Sequence, residues 1–136
     1  HLMKPVILDR KVMLRFKMSK KDLEITADCY LLEQVLINLI LNAIEACENT
    51  NEAAVDVIAE EKPHGRIFIK IVDNGPGISP EIMDQIFVPF FTTKKTGSGI
   101  GLSLSKQIMN LHGGKIQVLQ NENAGTTIRL QFPVTA

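Results

Sequence analysis

A chain of 136 residues, 45% of them apolar and 22% charged, has the size and balance of one globular domain with a real hydrophobic core. Its 15 basic and 15 acidic residues cancel, so no global field draws it to nucleic acid or to an anionic membrane. The longest apolar stretch is interrupted by Glu33, Gln34, Asn38 and Asn42, which argues against a membrane span.

In chain order, His1-Leu2-Met3 reads as a cloning remnant, no secretion signal is recognisable, and the domain is taken as residues 4–136. Val12, Leu14 and Phe16 alternate with basic or flexible residues, and Leu23 with Ile25 continues a predicted hairpin across Ser19 to Asp22. Asp28 is placed to N-cap the helix that follows. From Tyr30 to Cys47, residues Leu32, Val35, Leu36, Leu39, Ile40, Ala43 and Ile44 surround most of the helix barrel and predict a buried element. Cys29 and Cys47 lie in this one segment, too far apart to bridge, so both read as reduced thiols in a cytosolic setting.

Down that helix Gln34, Asn38, Asn42 and Glu45 form a single polar stripe, because spacings of four, four and three residues share one face. A buried polar row left without partners costs on the order of a few kcal/mol or more. The stripe is therefore either the floor of a site for a polar ligand or a set of amides paired with core backbone.

Val55, Val57 and Ala59 predict a third strand, and Ile67, Ile69 and Ile71 a fourth that runs straight into Asp73. Asp73-Asn74-Gly75-Pro76-Gly77 is a tight-turn signal; it also suits a purine, with a carboxylate to accept from an exocyclic amine and glycines that let a flat ring approach the backbone. A short helix is predicted from Ser79-Pro80-Glu81, with serine capping and proline in the first turn.

Within residues 87–102, Gly97, Gly99 and Gly101 free backbone amides at the start of a helix, an arrangement suited to phosphate. Lys94 and Lys95 either add positive charge there or are simply solvated, and Phe87, Phe90 and Phe91 either seat a lid or form a satellite core. Ile100, Leu104, Ile108 and Leu111 repeat at helical spacing until Gly113-Gly114 stops them. Two closing strands follow, at Ile116 with Val118 and at Ile128, Leu130 and Phe132. The expected fold is α/β: a two-layer sandwich with a mixed, mostly antiparallel sheet of about five strands and three helices on one face.

The order of these segments carries a resemblance. QVLINLILNAIEA resembles the N box of sensor histidine kinases, DNGPG their G1 box, FVPFFTTK their F box and GSGIGL their G2 box. All four stand in family order and, with Gly125-Thr126-Thr127, cover nearly the whole chain. The resemblance implies the ATP-binding catalytic domain of the Bergerat, or GHKL, fold, with a lid of the nitrogen-regulation and sporulation-kinase form.

Carried over residue by residue, the family pattern implies that Asn42 holds Mg2+ and that Asn38 helps to place it and the phosphates. It makes Asp73 the adenine-binding carboxylate, with Gly75, Gly77 and Ile78 flooring the base pocket and Thr127 assisting. Phe91, Thr92, Thr93, Lys94, Gly97, Ser98, Gly99, Ile100, Gly101 and Leu102 fall on the lid and its phosphate cradle. The implied chemistry is phosphoryl transfer from Mg-ATP to a histidine of a separate dimerisation domain, and onward to a response regulator. Asn38 stands where the superfamily's ATPases place a glutamate, which favours kinase over hydrolase; Glu45, a carboxylate on the same face, keeps a catalytic base open. Neither His64 nor His112 matches the phosphoacceptor, so the fragment is expected to bind ATP as a monomer and to autophosphorylate poorly. The parent is expected to be a homodimer with this portion in the cytosol, whether or not it is anchored in a membrane. A GHKL-type ATPase, an anti-sigma-type serine kinase and a nucleotide-binding module without catalysis are the alternatives.

Overall fold

The structure is a computed structural model, and it describes residues 6–7, 12–19, 23–25, 27–88, 101–122 and 124–134. Among the described residues six strands form one sheet: β1 (Val6–Ile7), β2 (Met13–Met18), β3 (Ala54–Lys62), β4 (Arg66–Asp73), β5 (Lys115–Gln120) and β6 (Thr126–Gln131). Their order across the sheet is β1-β2-β3-β4-β6-β5; β2 and β3 run parallel and every other pair is antiparallel. Helix α1 (Cys29–Cys47) is the crossover that the parallel pair requires, and α2 (Gly101–Leu111) connects toward β5.

Alternation along β4 decides which side carries the helices. Ile67, Ile69 and Ile71 are buried there and pack with Val55 and Val57 of β3, Leu130 of β6 and Val35, Leu39, Ala43 and Ile44 of α1. The opposite face is polar, with Arg15 donating twice to the Asp56 carboxylate, at 2.6 and 3.1 Å, and Lys70 2.6 Å from Glu60. The two-layer α/β sandwich expected from the sequence is therefore the fold.

Four details differ from expectation. Leu23 and Ile25 form no strand; β2 finds its neighbours in β1 and β3, while Leu23 and Ile25 pack against the core. The sheet has six strands because the two-residue β1 adds an edge. The segment after Ser79 forms only a 3-10 turn (Met83–Gln85): the Ser79 hydroxyl donates to Glu81 instead of capping, and successive amides reach back three residues, Gln85 to Ile82 and Val88 to Gln85, both at 2.9 Å. Lastly, α1 is long and apolar enough to span a membrane by length and composition, yet it lies along the sheet, with Ile37 50% and Leu41 47% exposed. The expectation of burial around most of its barrel holds for one side only, because a two-layer fold covers a helix on one face.

Both helices end as their sequences direct. The Asp28 carboxylate caps α1 by accepting from Leu31 N–H at 2.9 Å. Gly113, at φ +72°, stops α2, and the Gly114 amide bonds back to Met109 O at 2.9 Å. His112 ties the two helices together: Nδ1 lies 2.8 Å from Ile108 O, and Nε2 accepts from the Asp28 amide at 3.0 Å.

Candidate functional site

Asp73 occupies the next inward position after Ile67, Ile69 and Ile71, so β4 buries a carboxylate where its own pattern calls for isoleucine. Only 6% of it is exposed. Burial pushes its pKa above the ordinary aspartate value, and backbone N–H donors from Gly75 and Thr126 oppose that shift without cancelling it. Gly75 N–H lies 2.9 Å from Oδ1. A proton acceptor recessed at a strand end thus accepts from main-chain N–H donors.

The turn after Asp73 presses on the end of α1. A Cβ on Gly75 would sit 2.6 Å from Ala46 O, so only glycine permits this approach. Gly77 holds φ at +86°. Asn74 anchors the turn to the start of β3, accepting from Ala54 N–H at 2.9 Å and donating to Glu52 O at 3.0 Å. Beside it lies Cys47, fully buried, its thiol pKa raised by burial and then by the charge of Asp73; Cys29 is exposed at the other end of the helix.

One turn back along α1 from Ala46 stands Asn42. Gln34, Asn38, Asn42 and Glu45 are all half-buried, whereas Val35, Leu39, Ala43 and Ile44 on the sheet side are buried. The polar row is therefore half-exposed beside the buried stripe and is not sealed in the core. Among the described residues no cluster of three His, Cys, Asp or Glu side chains exists that could hold a metal on its own.

Thr127 is displaced from the expected place. Val72 pairs with Thr127, so the residue opposite Asp73 on the inner face is Thr126, which shares parity with the buried Ile128, Leu130 and Phe132. Thr127 turns to the outer face and donates to Asn121 Oδ1 at 2.5 Å. A shallow hollow of about 500 Å3 on that outer face, lined by Ile58, Lys70, Val72 and Thr127 among others, is across the sheet from the Asp73 carboxylate. Strand parity could have found Thr126 in the sequence; Gln120 and Asn121, whose side chains reach the Asp73 turn, carried no such signal.

Of the remaining expected residues, Ile78 is half-buried at the turn, and Gly101 and Leu102 open α2, Leu102 packing against the core. Phe87 lies under Lys106, whose Nζ is 5.2 Å from the ring centre. Phe90, Phe91, Thr92, Thr93, Lys94, Lys95, Gly97, Ser98, Gly99 and Ile100 fall outside the described residues.

Residues 27–136 match the family model described as "Histidine kinase-, DNA gyrase B-, and HSP90-like ATPase". The chain is 39% identical over 127 residues to the sensor histidine kinase ZraS of Salmonella typhimurium, covering 93% of this chain and 27% of that protein. The fold is similar to the solved catalytic domain of histidine kinase ThkA, with a TM-score of 0.77 and 37% identity over 87% of this chain and 76% of that one. It is also similar to ThkA solved in complex with the response regulator protein TrrA, with a TM-score of 0.76 and 33% identity over 93% of this chain and 35% of that one. The chain spans about a quarter of the length of the curated relatives it matches, 27% in the case of ZraS.

Proposed function

The chain belongs to the histidine kinase-, DNA gyrase B- and HSP90-like ATPase family as a histidine kinase ATP-binding domain, and on that premise we propose that it binds Mg-ATP at the Asp73 turn and the α1 amide row. The γ-phosphoryl group then passes to a histidine on a separate dimerisation domain of the parent kinase, and from there to a response regulator. The observation that carries this reading is the buried Asp73 carboxylate, fixed by backbone N–H donors at the end of an isoleucine row, with an unsealed amide row beginning one helical turn away.

In this reading Asp73 accepts from the exocyclic amine of adenine, and Thr126 keeps the carboxylate aimed through its backbone N–H. Gly75 lets the turn close against the end of α1, and Gly77 supplies the left-handed backbone that the turn needs, so that main chain floors the base pocket. Asn42 presents a neutral oxygen to the metal, and Asn38, one turn earlier, orients the phosphates. Mg-ATP supplies the transferable phosphoryl group when bound. The protein's part is positioning and charge stabilisation, because a neutral imidazole acceptor is already nucleophilic near neutral pH and asks for no strong base. Gly97, Gly99 and Gly101 complete the phosphate cradle in this proposal, with Lys94 as a further contact.

The test is a calorimetric titration with ATP. Wild type binds ATP in preference to GTP, and Asp73→Ala loses that preference while its circular dichroism spectrum is retained. An Asp73→Ala protein that binds ATP as wild type does would overturn the assignment.

A further inference from the structure

Asp73 and its turn are held from outside by the neighbouring β5–β6 hairpin. The turn from β5 to β6 lies against them: a Cβ on Gly125 would fall 2.0 Å from Asp73 O, so the two backbones are in direct contact. Asn121 sits at the centre of this contact. Its Nδ2 donates to Asp73 O at 3.0 Å and to Ala124 O at 3.2 Å, its Oδ1 accepts from Thr127, and its amide bonds to Gly125 O at 3.1 Å. Gln120 treats Ile78 as a neighbouring strand would: its Oε1 accepts from Ile78 N–H at 3.4 Å and its Nε2 donates to Ile78 O.

Asp73 and Ile78 are the two ends of the purine-binding turn, and one amide side chain grips each end. We propose that Asn121 and Gln120 are positioning residues for the nucleotide base, clamping the turn so that the Asp73 carboxylate and the Ile78 backbone hold one orientation. Neither residue lies in the four motif segments, and neither is assigned a contact with nucleotide. Their action runs through backbone carbonyls and amides, which a base-binding turn closed by glycines cannot fix by side-chain packing of its own. The proposal rests on the reading of this turn as an adenine site, and its test separates the two.

Two variants remove the Asn121 donor in different ways. Asn121→Leu is close in shape and uncharged; Asn121→Asp keeps the acceptor for Thr127. In both, hydrogen exchange at the Gly75 amide is expected to speed up about tenfold, the scale of one lost hydrogen bond, while the Leu39 amide in α1 keeps its protection. Affinity for ATP falls by a similar factor and the preference for ATP over GTP narrows, whereas a purely structural role would weaken both nucleotides equally. Gln120→Leu, which leaves Asn121 in place, is expected to speed exchange at Ile78. Unchanged exchange at Gly75 in both Asn121 variants, or equal loss of ATP and GTP affinity, would overturn the clamp. A wild-type protein indifferent to the base would instead overturn the adenine reading, while the exchange measurement still decides the clamp. Should Asn121→Leu fail to fold, Asn121→Asp and Gln120→Leu carry the same comparison.

Discussion

Burial makes the Asp73 carboxylate costly to ionise. Desolvation raises its folded pKa above the unfolded value, so protonation favours the fold fully below the ordinary aspartate range, and that stabilisation is lost as pH rises through the raised value. The Asp73→Asn variant, which cannot ionise, is therefore expected to gain stability relative to wild type as pH increases from about 4 to about 8, read by denaturant unfolding at several pH values. A difference that does not vary with pH would show that burial does not govern this carboxylate. At Gly125 the constraint is steric: with φ at +96° and a Cβ 2.0 Å from Asp73 O, Gly125→Ala is expected to cost at least about 2 kcal/mol in thermal unfolding. Asp73 was legible in the sequence because its motif is explicit. Thr126 was legible only through its parity with Ile128, Leu130 and Phe132, since a shift of one residue in a strand exchanges the two faces of the sheet and the adjacent Thr127 is chemically identical.

Helix α1 combines two jobs on neighbouring stripes. Its sheet-facing stripe supplies the core, and Leu39, fully buried there, is expected to cost about 2–5 kcal/mol as Leu39→Ala. Its half-buried polar stripe has a different proposed role: Asn42→Ala is expected to remove the dependence of ATP affinity on magnesium. Denaturation and calorimetry with and without the metal check the pair, and a variant still responsive to magnesium would exclude Asn42 as a ligand. Periodicity revealed α1, its Asp28 cap, β3, β4, β6 and the glycine stop of α2, because each follows from local chemistry over a few residues. It misplaced the partner of β2 and the helix after Ser79. Pairing across a sheet depends on which distant strand arrives, and a short segment settles into a 3-10 turn when its capping hydroxyl is drawn to a nearby carboxylate.

At the scale of the whole molecule, the proposed reaction takes its acceptor histidine from a separate dimerisation domain. His64 lies in the 3-10 turn between β3 and β4, and the ring of His112 is engaged by Ile108 O and the Asp28 amide. With labelled ATP, the chain alone is expected to remain unlabelled and to phosphorylate an added histidine-bearing dimerisation domain. Steady hydrolysis without an acceptor would favour the ATPase alternative and give Glu45 the role of base. The sequence by itself determined the family, the two-layer α/β class and the order in which carboxylate, amides and glycines arrive, since those rest on residue type and short-range spacing. Tertiary structure alone decided that the β5–β6 turn meets the Asp73 turn and that Gln120 and Asn121 grip it, because the meeting of segments some 48 residues apart is set by packing of the whole chain.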